Sequence, residues 1–448
     1  MSFSYLPHTE GDRQQMLASI GAKTVSDLFE DVPADIRLGR DMNLPEILDE
    51  AALLKHLQKI ASKNASFHDY SYFLGAGAYD HYAPVVIDAL ISRSEFTTAY
   101  TQYQPEVAQG YLQALWEYQS MICELTGMAV CNASLYDGGT ALAEAIMMAA
   151  AHTKRKQIVA AKTLHPHYRT ILSTYAIDLD IEIADAGYKD GIIDLAALEQ
   201  AVTKETAALV IQSPNFFGCL EDVQAAAEIA HKNGALLIVS ADPVSLALLE
   251  APGKLGADIV TGEGQALGIA ASFGGPGLGF FCTTEKLMRK MPGRIVGQTV
   301  DGEGKRGFVL TLQAREQHIR REKATSNICS NQALCALSAA IYMSALGKNG
   351  LPQIAQLCLQ KAHYAFKEIT SINGYEKVFS APFFKEFVIK APKNIKDINN
   401  KLLSDKIVGG LDLGKYYPEL ANCMLLCVTE NRSKEEIDNL VKALGGAK

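Results

Sequence analysis

The residues best placed to do chemistry lie between Leu236 and Gly279. The run GALLIVSAD reads as an apolar strand ending in Ala241-Asp242. After a crossover, GADIVTG reads as a second buried strand (257–261), and a glycine-rich turn then leads into a third (278–282). A carboxylate at the end of a buried strand is placed to pair with a cationic ring nitrogen. The loop after the next strand opens on the same edge, where an amine nucleophile could meet a ligand held by that carboxylate. Here that loop is Gly262-Glu263-Gly264-Gln265-Ala266-Leu267, with no lysine in it. A frame for imine chemistry is present without its nucleophile.

Other lysines are poorly placed. Lys254 precedes its strand and so sits at the wrong end of a sheet, and Lys286 follows the returning strand and starts a helix. Lys162 ends an early strand and is the best remaining candidate, but it is far from Asp242 in the order. Asp137-Gly138-Gly139-Thr140 opens an alanine-rich helix whose free N–H groups and dipole favour an anion, although the same residues are ordinary caps and Asp137 would oppose one. Thr325-Ser326-Asn327, read as opening a second long helical region, has the same capacity for a phosphate, here that of a neighbouring chain. Tyrosines 72, 79, 82, 100, 103 and 111 cluster in sequence with Gly75 and Gly77. Tyr100, Tyr103, Gln104 and Glu106 form a polar, aromatic loop suited to a small molecule or a partner, and an aromatic satellite core explains the same composition. Arg315, Arg320, Arg321 and Lys323 read either as a solvated face paired with Glu316 and Glu322 or as a site for a carboxylate, a phosphate or an acidic partner.

The elements that position these groups alternate. QIVAAK, DIEIADA, ALVIQSP, LLIVSAD, ADIVTG and LGFFCT are strand candidates, with helices over 167–175, 195–201, 223–233 and 244–249. Such alternation predicts an α/β domain, its large parallel or mixed sheet covered by helices on both faces, with ligands at the C-terminal strand ends. Ser213-Pro214-Asn215, Asp242 and the 262–267 loop all fall on that edge. We divide the chain into an N-terminal helical arm (1–70), the α/β domain (71–325), and linking helices with a smaller C-terminal α+β domain (326–448). In the arm, Thr9 caps a helix over 10–20 and Asn43-Leu44-Pro45 opens a longer one. The C-terminal domain, with strands FKEFVIKA and CMLLCVTE, reads as scaffold. The whole pattern resembles fold-type I pyridoxal-phosphate enzymes, with a seven-stranded type of sheet. There the aspartate pairs with the pyridinium nitrogen, and a histidine such as His167 stacks on the ring or lies in a surface loop.

Composition excludes several classes. The chain has 448 residues, is 48% hydrophobic and carries a net charge of -8, which argues against a nucleic-acid protein. Its nine cysteines show no Cys-x-x-Cys and no zinc spacing, so no metal is expected and reduced, buried thiols fit a reducing compartment. The first residues do not read as a signal peptide, and no apolar run reaches the ~18 residues of a membrane span. A soluble, cytoplasmic chain is expected.

FLGAGAYDHY, TAYTQYQPEVAQG, YQSMICELTGM, NASLYDGGTALAEA, HPHYRTIL, FGGPGLGF, MPGRIVG and KATSNICSNQAL resemble the glycine cleavage system P-protein family, in its two-gene form. The resemblance runs from about Tyr5 to the C-terminus, with Gln102 departing where proline is expected. It implies that a duplicated fold-type I domain is split into two subunits and that this is the first, lysine-free one. Gln265-Ala266 stand where the second has His-Lys, so Ala266 takes the Schiff-base position, and Asp242 is a retained position. The implied enzyme decarboxylates glycine, transfers the aminomethyl group to the lipoyl arm of the H-protein and releases carbon dioxide. Its implied partners are subunit 2, which would hold the pyridoxal 5′-phosphate, and lipoylated H-protein, in an α2β2 heterotetramer inactive without both halves. A stand-alone pyridoxal-phosphate lyase or aminotransferase using another lysine, and a non-catalytic regulator of the same fold, remain alternatives at this point.

Overall fold

The computed structural model describes residue 5 and residues 7–97, 102–328 and 330–446. They form two compact units, Met1–Asn64 and Ala65–Lys448. In the first, α1 (Glu10–Ser19) has Thr9 at its N-cap: Asp12 N–H donates to Thr9 Oγ1 (3.2 Å) and Thr9 N–H to Asp12 Oδ2 (2.7 Å). Its second long helix, α2 (Glu50–Ala61), starts later than the expected 43–45, because the Asp49 carboxylate supplies the cap by accepting from Ala52 N–H at 2.8 Å. Leu17 is the one buried residue of this unit among those described, so the unit has no core of its own.

The second unit is built on a seven-stranded sheet. Its strands are β1 (Val130–Cys131), β2 (Gln157–Ala161), β3 (Glu182–Ala186), β4 (Thr206–Ser213), β5 (Leu236–Ala241), β6 (Ile259–Glu263) and β7 (Gly279–Thr283). Their order is β1-β7-β6-β5-β4-β2-β3, parallel from β3 through β6 and antiparallel where β7 meets β6 and β1. Successive side chains point to opposite faces, so each strand feeds two cores. Val159, Leu209, Leu237 and Val239 pack on one face, and Ile158, Ala208, Val210 and Ile238 on the other. Helix α3 (Gln109–Thr126) joins the first core and the alanine-rich α4 (Gly138–Thr153) the second. The helix expected over 244–249 is only a short 3₁₀ turn, Ser245–Ala247, shaped by Asp242 accepting from Val244 and Ser245 N–H.

Two regions differ from the sequence expectation. The stretch after 288, which contains none of the strand candidates, folds as an antiparallel hairpin, β8 (Ile295–Val300) with β9 (Arg306–Thr311). Two glutamine amides of α3 clamp it as surrogate strand groups: Gln119 bonds both Val296 N–H and its carbonyl, and Gln109 does the same to Phe308. The other difference is the domain boundary. Ser71–Tyr72 pairs in parallel with Ile407–Val408, so the chain after residue 65 begins as part of the C-terminal layer.

That layer follows α5 (Ala333–Thr370), a long helix broken at Gly347. Its sheet centres on β10 (Glu386–Lys390) paired with β11 (Cys423–Cys427). It sits close against the strand ends of the main sheet because two glycines allow it. A Cβ at Gly218 would lie 1.9 Å from the Glu386 carbonyl oxygen, and one at Gly75 2.4 Å from Cys427 Cβ; both have positive φ. Gly218→Ala is expected to destabilise the chain by about 2 kcal/mol or more in urea unfolding, through strain and forced separation of the two layers. An unchanged midpoint would mean that the layers do not meet this closely.

Candidate functional site

The strand ends converge as expected, and the C-terminal layer supplies what was not expected. Asp242, just past β5, forms an ion pair through Oδ2 with Lys385 Nζ, and both side chains are buried. Lys385 immediately precedes β10, in the stretch expected to be scaffold without chemistry. Its other contacts are His81 Nε2 at 3.1 Å and the face of the Tyr79 ring at 3.6 Å. An ammonium has three N–H donors and here has three acceptors. Since it can only donate, His81 Nε2 accepts, and His81 Nδ1–H donates to Glu430 Oε2 (2.7 Å). Burial works against both charges of the Lys385–Asp242 pair. The opposite charge alongside outweighs it, raising the Lys385 pKa and lowering that of Asp242.

A signal for Lys385 was present: Lys385-Glu386 is a charged pair inside the apolar run FFKEFVIK. A run that apolar reads as a buried strand, and buried charges need partners. Glu386 accepts from Ala76 N–H (2.7 Å) and the Tyr79 hydroxyl (2.8 Å), and burial pushes its carboxyl up to about 7. His81, Cys358 and Glu430 bring possible metal-ligating atoms within 4.8 Å of one another. Both His81 nitrogens are already engaged, and burial holds the Cys358 thiol well above its usual range.

The helix start on the same edge is also taken. Asp137 caps α4 by accepting from Thr140 N–H at 2.7 Å. Glu263, at the end of β6, accepts from Gly138 N–H (3.0 Å), Gln265 N–H (2.9 Å) and Leu278 N–H (2.7 Å). Burial raises its pKa despite these three donors. A Cβ at Gly138 would already lie 2.5 Å from the Tyr168 hydroxyl. Gln265 is turned to the backbone, accepting from Tyr79 N–H and donating to the Tyr79 and Ile269 carbonyls, and Ala266 is buried in an apolar cluster. The cavity enclosed by Asp242, Glu263, Tyr168, His165 and Lys385 has a volume of about 40 Å³. It adjoins an open cleft of about 1090 Å³ that runs past His167 to the Ala270–Gly277 loop.

The remaining candidates divide. His167 is exposed, 3.2 Å from the Tyr416 hydroxyl. His165 is the buried member of the pair, bonded to the Ala76 carbonyl, and burial pulls it down to about 4. Tyr100 lies outside the described residues. Tyr103, Gln104 and Glu106 line neither cavity; Tyr103 stacks under the Arg294 guanidinium, 4.9 Å from the ring centre. Thr325, Ser326 and Asn327 line neither cavity, and they open no helix, since α5 starts at Ala333. Ser326 Oγ accepts from Ile328 N–H at 3.1 Å, and burial raises the Glu144 carboxyl to about 7. Arg315 is engaged with the Met291 and Gly293 carbonyls and so is not part of a solvated ion-paired helix. The tyrosines form no single cluster: Tyr79 lies under Lys385, Tyr103 under Arg294, Tyr111 is in the core and Tyr82 is exposed. Lys162 is exposed beyond β2 and Lys254 is paired with Glu250.

A mixed seven-stranded sheet with an aspartate ending a central strand, and a helix start on the same edge, defines the fold-type I class of pyridoxal-phosphate enzymes. A glutamate decarboxylase from Lactobacillus brevis shares this fold alone, at 12% identity, TM-score 0.69 and coverage of 95% and 96% of the two chains. At 41% identity and TM-score 0.90, with both chains fully covered, the structure matches a glycine decarboxylase (P-protein) of the glycine cleavage system in inhibitor-bound form. The family description "Glycine cleavage system P-protein" matches residues 3–444. Probable glycine dehydrogenase (decarboxylating) subunit 1 from Brevibacillus brevis is 56% identical and that from Anoxybacillus flavithermus 54%, each over 99% of both chains. The chain belongs to the glycine cleavage system P-protein family.

The class's cofactor does not fit this chain. The carboxylate at the strand end is paired with Lys385, the helix start on the same edge is filled by Glu263 and Asp137, and the 262–267 loop holds no lysine. Lys385 cannot serve as the missing nucleophile, because its ammonium is retained and all three donors are used.

Two measurements check this electrostatic reading. Asp242→Asn leaves the Lys385 ammonium buried without its counter-charge and is expected to cost about 3–5 kcal/mol. Glu386 has a folded pKa of about 7 against an ordinary 4.5, so the folded state holds the proton more tightly. Its contribution is therefore fully present below about 4.5 and is lost as pH rises through 7. Glu386→Gln cannot lose that proton. Relative to the native chain it should gain roughly 2–3 kcal/mol between pH 4.5 and pH 7.5 in urea unfolding. A difference that does not vary with pH would mean an ionised Glu386.

Proposed function

We propose that this chain is the cofactor-free half of the P-protein, and that a sister subunit carries pyridoxal 5′-phosphate on its own lysine. As a member of this family the chain is a subunit of the glycine-decarboxylating enzyme of the glycine cleavage system. The observation that carries the division of labour is the filling of the chain's own strand-end site by Lys385, Glu263 and Gln265. When bound by the sister subunit, the cofactor would supply the electron sink for loss of carbon dioxide from glycine. The aminomethyl group then passes to the lipoyl arm of the H-protein.

What this chain adds is assigned to surfaces away from its closed site. Tyr103, Gln104 and Glu106 are exposed and polar, with Tyr103 against Arg294, which has no carboxylate partner among the described residues, and Thr325 and Asn327 are exposed. We assign them to the wall of the site completed with the sister subunit. The Met1–Asn64 unit has no core of its own, which supports a role in holding a partner. Two copies of each subunit in the cytoplasm complete the reading; among the described residues no helix is long and apolar enough to cross a membrane.

The test is glycine–bicarbonate exchange with each purified subunit and with the mixture. Neither subunit alone should exchange, and the mixture should. Tyr103→Phe and Glu106→Gln should lower the rate of the mixture about tenfold or more while leaving assembly on gel filtration intact. Exchange by this chain alone would restore the stand-alone reading, and an unchanged rate in both variants would remove the loop from the site.

A further inference from the structure

We infer that Lys385 and Glu263 are internal stand-ins for the two charged ends of the absent cofactor, so that this chain closes its site and fastens its C-terminal layer without any ligand. In this fold a bound cofactor would satisfy two otherwise costly features of the strand-end edge: a buried carboxylate and an uncapped helix start. Here both are met from within. Lys385 takes the place of the ring cation opposite Asp242. Glu263 takes the place of the phosphate at Gly138 N–H, with two further backbone donors on its carboxylate. The two side chains line the same cavity of about 40 Å³, and both of the features that would call for a ligand's charges are already matched there.

The source of each side chain matters. Glu263 comes from the main sheet, but Lys385 enters from the C-terminal layer at the head of β10. Its ammonium reaches Asp242 only with that layer seated. Around it, Glu430 is held by His81, and Asp80 by Arg432, Asn431 and Thr429, so the 76–82 segment is laced to the same layer. Lys385 is thus a positioning residue: it makes the closed arrangement of the two layers the resting state of this half. A ligand that binds only the native state stabilises it in proportion to its concentration. A chain that carries its own stand-ins has no such dependence.

The test uses the full-length chain alone, so its outcome is separate from that of the exchange assay. Thermal unfolding of the native chain should be unmoved by millimolar pyridoxal 5′-phosphate. Lys385→Ala should lower Tm by roughly 5–10 °C. Ethylammonium, which replaces the lost amine, should restore about half of that or more, while tetramethylammonium at equal ionic strength, bulky and without N–H donors, should restore none. In Lys385→Ala/Asp242→Asn ethylammonium should have no effect. Glu263→Ala should gain a stabilising response to formate that the native chain lacks. A Lys385→Ala loss indifferent to ethylammonium, a rescue that survives Asp242→Asn, or a Glu263→Ala chain indifferent to formate overturns the inference. Should Lys385→Ala fail to fold, the native chain still decides. After pyridoxal 5′-phosphate and borohydride, peptide mapping should find surface lysines labelled and Lys385 untouched. Selective label on Lys385, or a Tm raised by pyridoxal 5′-phosphate, overturns it.

Discussion

The structure depends on one buried ion pair, Asp242 with Lys385. Either charge alone in that interior would cost several kcal/mol, so each requires the other, and together they require an environment that completes their hydrogen bonds. The Lys385 ammonium obtains this from His81 and the Tyr79 ring, and Asp242 from two backbone N–H groups of the turn that follows it. These groups come from the main sheet, the 76–82 segment and the C-terminal layer. Their convergence requires close packing of all three, which explains why glycine is needed at 75 and 218, where a side chain would strike Cys427 and Glu386. The geometry of the interface follows from the pair.

The pair also divides the molecule into two kinds of surface. The strand-end edge, where this fold class does its chemistry, is closed and satisfied from within. The face carrying Tyr103, Arg294 and the β8–β9 hairpin is not: Arg294 keeps a buried guanidinium nitrogen without a partner among the described residues. Gln102 beside it likewise has a buried, unpartnered amide nitrogen.

Much of this was legible in the sequence, for identifiable reasons. The apolar strands and their order of appearance follow from runs such as ALVIQS and LLIVSA, buried on both faces. The cap of α4 was visible as Asp137. The β8–β9 hairpin was missed although Asp301-Gly302-Glu303-Gly304 between β-branched runs is a local turn signal, and Asp301 closes the turn by accepting from Glu303 and Lys305 N–H. Helix α2 was drawn too early because Asn43-Leu44-Pro45 offers a plausible start, whereas the cap that wins is Asp49. Lys385 was overlooked because a lysine in a strand is read by default as solvent-facing, and only the fold shows that its strand abuts Asp242.

A chain of this class without its cofactor can settle its vacated carboxylate in two ways. It can replace Asp242 with an apolar residue, which is often neutral or stabilising for a buried pair, or it can keep the carboxylate and bring a cation to it. The first gives up one directional tie and leaves the layers to their apolar packing and to bonds such as that from Phe384 N–H to the Gly218 carbonyl. The second ties them at a point, since a charge buried without its partner is penalised far more steeply than an imperfect van der Waals contact. Lys385 shows that this chain takes the second course. Asp242 thereby anchors the head of β10 through Lys385.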